Sequence, residues 1–149
     1  MKKNLVLSTD KILRESSKEV SFGDKEIDQD LLDSFVLGRG NLGLSACQIG
    51  VPYRACLCVV KGRVEIMNNP VIKSQSDEKI VSLEGCLSFP HVYCKVKRSK
   101  EVTVEYFNKE WQKCESVFTD RDSCVVQHEI DHLDGIRMQD RAFEKTYKK

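Results

Sequence analysis

His128-Glu129-Ile130-Asp131-His132 constrains this chain more than any other stretch of it. Two histidines spaced this way stand one turn apart on the same face of a helix, so they can grip one metal ion together. Glu129 follows the first of them directly, and its carboxylate can reach a metal-bound water without becoming a ligand, the position a general base needs. Thr119 or Asp120 can cap the helix that carries them, which runs to about Asp134, and Gly135 supplies a left-handed stop. A catalytic metal normally takes three protein ligands and keeps one position open for water. The fold must therefore bring another part of the chain to this helix.

A length of 149 residues fits one domain, residues 1–149, with one core and one site. Ile27, Leu31, Leu32 and Phe35 recur at helical spacing, which predicts an N-terminal helix from about Asp24 to Leu37, ended by Gly38. Ala55 to Val60 reads as a buried strand, and alternation returns at Val92/Cys94/Val96 and at Val102/Val104/Tyr106. Asn108 to Glu110 reads as a turn before a strand near Glu115 to Phe118. The expected class is α+β: short antiparallel or mixed sheets packed around the C-terminal helix, with an N-terminal helix beside them. The tail from Arg137 holds five basic and two acidic residues and is expected to be a solvated helix end.

Composition narrows the partners. The longest apolar run is the six residues from Ala55 to Val60, against the ~20 needed to cross a bilayer, so no membrane is implied. Twenty-four Lys and Arg against 23 Asp and Glu leave a net charge of +1, too little to draw nucleic acid or anionic lipid. After Met1-Lys2-Lys3, Ser8, Thr9 and Asp10 interrupt any apolar signal segment. Seven cysteines, an odd number with no C-x-x-C pair, make a poor disulfide framework and suit a reducing cytoplasm.

Spacing alone leaves the third metal ligand open. A metzincin would place a histidine three residues beyond Gly135, but Met138 stands there; His91 and the cysteines remain. Glu84-Gly85-Cys86-Leu87-Ser88-Phe89-Pro90 closely resembles the E-G-C-L-S motif of peptide deformylases. The family's Q-H-E-x-D-H signature is intact as Gln127 to His132, and its G-x-G-L-A-A-x-Q signature corresponds to Asn41-Leu42-Gly43-Leu44-Ser45-Ala46-Cys47-Gln48. The three occur in the family's order, and the resemblance spans roughly residues 5 to 142.

That resemblance implies a metal-dependent hydrolase that removes the N-formyl group from the formyl-methionine of nascent polypeptides and releases formate. It implies Cys86, His128 and His132 as ligands of one divalent ion, Fe(II) in cells with Zn(II), Ni(II) or Co(II) as substitutes, and Glu129 as the acid and base. Gln48 and the Leu87 backbone N–H become donors to the oxyanion. Leu42, Gly43, Leu44, Tyr93, Cys124 and Val125 are the expected substrate-binding residues, and Arg98 is expected to pair with Glu84 and brace the cysteine loop. The expected molecule is a cytoplasmic monomer with transient ribosome contact. Two departures stand out: Asn41 replaces the motif's first glycine and Ser45 an alanine, which bears on specificity more than on activity. Only 14 residues follow Gly135, fewer than in many relatives that use a longer helix at the ribosome. The rival expectations are a metalloendopeptidase of the H-E-x-x-H type and a metal-stabilised binding protein without turnover.

Overall fold

The computed structural model describes residues 1–38 and 40–147, the side chain of Tyr147 excepted. In chain order the elements are α1 (Glu26–Ser34), β1 (Gly43–Ser45), β2 (Ala55–Val60), β3 (Arg63–Gln75), β4 (Lys79–Cys86), β5 (Phe89–Ser99), β6 (Glu101–Phe107), β7 (Lys113–Thr119), α2 (Asp120–Leu133), α3 (Met138–Arg141) and β8 (Ala142–Tyr147). A five-stranded sheet has the order β1-β2-β3-β6-β7 and a three-stranded sheet the order β4-β5-β8. Every pairing between these strands is antiparallel. This is an α+β fold in which α2 contacts both sheets: β1, β2, β6 and β7 of the larger and β4 and β5 of the smaller.

The unbroken apolar run at β2 has a physical cause. Alternate side chains on a strand face opposite ways, and both faces of β2 are covered. Cys56, Cys58 and Val60 join a core cluster with Val126, Ile130 and Leu133 of α2, while Ala55 and Leu57 join one with Ile27 and Leu31 of α1. Burying each of these large aliphatic side chains contributes roughly 1.5–3 kcal/mol. A third cluster, with Leu13, Cys47, Cys94, Val96 and Met138, lies under the small sheet.

Three expectations need correction. Helix α1 is shorter than the apolar spacing predicts: it ends at Ser34, and Phe35 is already extended, with its ring packed against the α1 cluster. Thr119 occupies the N-cap of α2 but makes no side-chain capping bond. Through Tyr147 the tail is not a solvated helix end, and Lys148 and Lys149 lie outside the described residues. After the single turn of α3 the chain becomes strand β8, paired along β5 from Val96↔Ala142 to Val92↔Tyr147. Helical propensity loses here to the open edge of β5, whose N–H and C=O groups need partners.

Gly135 ends α2 as expected, with φ +73. A second constraint holds it: a Cβ there would lie 2.6 Å from the backbone carbonyl of Arg14. The Ser17 N–H donates to the Leu133 carbonyl at 2.8 Å, so the N-terminal segment grips the end of the helix.

Candidate active site

Three segments far apart in sequence meet beside α2. Strand β1 and the turn of 3-10 helix at Ala46–Ile49 bring Gln48, the end of β4 brings Cys86, and α2 brings His128, Glu129 and His132. The ligand atoms of Cys86, His128 and His132 lie within 4.8 Å of one another, and the Cys86 sulfur is 3.3 Å from His132 Nε2. Donors bonded to one tetrahedral ion at ~2.3 Å (S) and ~2.0–2.1 Å (N) would stand about 3.5 Å apart, so the Cys86–His132 separation already suits one divalent ion and the third donor lies close by. His91 is exposed at positive φ on the rim and is not among the grouped donors.

The histidine nearest the acidic groups is oriented from behind. His128 Nδ1 lies 2.8 Å from Glu84 Oε1, which commits that nitrogen and leaves Nε2 for a metal. Glu84 is in turn forked by Arg98, whose Nε and Nη2 donate to its two oxygens at 2.8 Å each. Burial alone would raise the Glu84 carboxyl, but its bonds to Arg98 and His128 prevail and hold it at about 2. Burial and the neighbouring His128 push His132 down to about 3, so its imidazole is neutral, the form a metal requires. Arg98 thus pairs with Glu84 as expected, and it also donates to Asp131 from Nη1 at 2.6 Å.

Glu129 is almost fully enclosed, at 4% exposure. Burial raises its carboxyl above the usual range, against the pull of His128 and of the Ser45 hydroxyl. Ser45 Oγ donates to Glu129 Oε1 at 2.8 Å and lies 2.9 Å from the Glu129 carbonyl oxygen. On the other side the carboxylate fits against Gly43, where a Cβ would come within 2.5 Å of Oε2. Gln48 is held at both ends: Oε1 accepts from the Ser45 N–H at 2.8 Å, and Nε2 donates to Ser88 Oγ at 2.9 Å and to the Cys86 sulfur at 3.4 Å. Its amide N–H group therefore points at the Cys86 sulfur. Leu87 lies in the two-residue turn between β4 and β5, and its N–H has no acceptor among the described residues.

Gln48, Cys86, Leu87, His128 and Glu129 line a cleft of about 700 Å³ that also includes Leu42, Gly43, Tyr93, Arg121, Cys124 and Val125. The stripe Arg121, Cys124, Val125, His128 is one face of α2. Leu44 departs from expectation. Its side chain is buried in the α1 cluster, on the opposite face of β1 from Gly43 and Ser45, so only its backbone is available to the cleft. The remaining cysteines behave as small apolar side chains: burial pushes the Cys47 thiol up to about 12 and raises Cys94 and Cys124. Ser45, Ser88, Asp131 and Arg141 act around the site without having been assigned a role from sequence. Ser45, Ser88 and Asp131 lie inside motifs that pointed to the site; nothing in the sequence marks Arg141.

The sequence profile of the polypeptide deformylase family matches residues 2–148. The chain belongs to the polypeptide deformylase family. A peptide deformylase of Pseudothermotoga lettingae is 41% identical over 139 residues, covering 91% of this chain and 80% of that protein. Among solved structures, a peptide deformylase from Thermotoga maritima superimposes with a TM-score of 0.90 at 29% identity, covering 97% of this chain and 99% of the other. A class I type b peptide deformylase from Acinetobacter baumannii, solved with Met-Ala-Ser bound, gives a TM-score of 0.87 at 25% identity over 95% of this chain and 98% of the other. Metal dependence is general to peptide deformylases, and the donor set described above gives this member a place for the ion. No helix among the described residues is long and apolar enough to cross a membrane.

Proposed function

We propose that this protein is a metal-dependent peptide deformylase that hydrolyses the N-formyl group of formyl-methionyl nascent peptides, with Cys86, His128 and His132 as the metal ligands. The observation that carries this reading is the meeting of one thiol and two imidazoles beside a cleft that Cys86, His128 and the buried, oriented Glu129 line. A divalent ion there would supply Lewis acidity and lower the pKa of water towards ~7. One thiolate and two neutral imidazoles leave such an ion with a net +1 and suit Fe(II) as well as Zn(II), and we assign Fe(II) as the metal used in cells.

The peptide lies extended between β1 and β4, which flank the cleft and are the outer strands of their sheets among the described residues. Leu42, Tyr93, Cys124 and Val125 enclose the methionine side chain, and Gly43 lets the peptide backbone pass close by. Glu129 takes a proton from the attacking water, and its raised affinity for protons suits that task. As the formyl carbon becomes tetrahedral, Gln48 Nε2 and the Leu87 N–H donate to its oxygen. Glu129 then gives its proton to the departing amine nitrogen as the carbon–nitrogen bond breaks, leaving formate and a free N-terminus. Seven unbridged cysteines suit a reducing cytoplasm, and the protein acts there as a monomer in transient contact with the ribosome.

The test compares formyl-Met-Ala-Ser with acetyl-Met-Ala-Ser and an internal peptide after anaerobic purification and metal analysis. Formate release from the first alone is expected, and Glu129→Ala should keep the metal while turnover falls by ~10²-fold or more. Cleavage of the internal bond without formate would identify an endopeptidase instead, and metal-loaded protein inert towards every formyl peptide would identify a binding protein.

A further inference from the structure

Behind the candidate metal ligands runs a chain of charges that ends at the protein surface. His128 Nδ1 meets Glu84, Glu84 is forked by Arg98, and Arg98 uses its remaining nitrogen on Asp131 Oδ2 at 2.6 Å. Asp131 then accepts two bonds from Arg141: Nε to Oδ2 at 2.6 Å and Nη2 to Oδ1 at 3.0 Å. The side chains of Arg98, Glu84 and Asp131 are 3%, 7% and 11% exposed, whereas Arg141 is 46% exposed. Two arginines and two carboxylates make the chain neutral. Without Arg141, one guanidinium faces two buried carboxylates, and Asp131 competes with Glu84 for Arg98.

Two independent anchors set the place of Arg141. It is the last residue of α3, whose first residue, Met138, is buried under the small sheet. The next residue, Ala142, opens β8 and pairs with Val96, two positions before Arg98 on β5. The tail is thus built into the sheet that carries Arg98 and Glu84. Asp131, for its part, lies on α2 between the two histidines. A fork on Asp131 from this side fixes the helix and the sheet to each other where both supply ligands.

We infer that Arg141 is a positioning residue for the metal site: by neutralising and orienting Asp131 it frees Arg98 to hold Glu84, and Glu84 to hold His128. The inference rests on the metal-binding reading above. Its test is the rate at which Zn(II)-loaded protein gives up its metal to a chromogenic chelator, a readout that needs no turnover. Arg141→Gln should release zinc ~10-fold faster, within the ~10–100-fold range for groups that support a ligand, and Arg141→Lys should lie between it and wild type. Thermal melting of the metal-free proteins separates positioning from bulk stability. Because Arg141 is half exposed, its loss should move that melting temperature by no more than ~3 °C. Release rates equal for wild type and Arg141→Gln, or faster release matched by a proportionate collapse of metal-free stability, would overturn the inference alone. Wild-type protein that holds no zinc would overturn the proposed function and this inference with it.

Discussion

A single methyl group at position 43 should disable the enzyme without touching the metal. The backbone at Gly43 is not in the left-handed region, so alanine brings no conformational strain, and the effect is one of space alone. The added Cβ would meet three atoms of the Glu129 side chain first: Oε2 at 2.5 Å, Cδ at 2.7 Å and Cγ at 2.8 Å. To restore an ordinary contact of ~3.5 Å the carboxylate must retreat about 1 Å. It has little room, since Ser45 holds Oε1 at 2.8 Å and the side chain is enclosed. A displacement of that size in a proton-transferring group costs ~10²-fold in rate, which is ~2.7 kcal/mol of transition-state stabilisation. The assay measures kcat and KM for formate release from formyl-Met-Ala-Ser, with metal content determined on the same preparation. The expected result is a full complement of metal, with kcat carrying most of the loss. If Gly43→Ala kept kcat within about threefold of wild type, then the carboxylate is not held in the place described, or its place does not matter to the reaction. If KM carried the loss instead, the methyl group would be blocking the peptide rather than moving Glu129.

Other perturbations test separate parts of the site. Arg98→Met strands the Glu84 and Asp131 carboxylates in the interior, so stability should fall by ~3–5 kcal/mol and the melting temperature by roughly 8–15 °C; a loss below ~3 °C would contradict the buried network. Burial raises the Asp28 carboxyl, against its hydrogen bond from Asn68, and both Asp28 Oδ2 and Asn68 Oδ1 are buried without partners. A raised carboxyl favours the folded state below the unfolded value near ~3.9, and that contribution is lost as pH climbs through the folded value. Asp28→Asn supplies a neutral donor, so it should melt at or above wild type at pH 7 and lose that advantage near pH 4. A lower melting temperature for the variant at pH 7 would refute this. Arg121 is exposed on the cleft wall one turn before Cys124 and has no ion-pair partner among the described residues. Wild type should therefore favour formyl-Met-Ala-Asp over formyl-Met-Ala-Lys by up to about fivefold in kcat/KM, and Arg121→Glu should reverse the order. Equal ratios for the two proteins would remove Arg121 from substrate selection.

What the sequence disclosed depended on how local each signal was. The ligand helix, its stop at Gly135 and strand β2 were legible because periodicity, a turn residue and an unbroken apolar run are written within a few positions. Strand β3 is harder to see. Asn68-Asn69-Pro70 reads like a turn, yet the strand passes through it with irregular register between Asn68 and Val71, where a residue without an N–H is tolerated. The tail misled for the opposite reason: its polar sequence has no strong preference of its own, and the edge of β5 decides its shape. At the site, Cys86 could be chosen over His91 only through motif resemblance, because the distance from residue 86 to residue 128 carries no geometric information until the sheets form. Ser45 was read as a departure affecting specificity, whereas its hydroxyl holds Glu129. Leu44 was read as substrate-binding alongside the motif it belongs to, and strand alternation turns its side chain into the α1 cluster.

The close approach of Gly135 to Arg14 bears on how the enzyme is made. The α-helix bearing the imidazoles is clamped at its far end by residues from the opposite terminus, and its sulfur partner comes from the middle. Such long-range closures are slow, so the full set of three donors forms only once the helix, its N-terminal clamp and the small sheet have docked on one another.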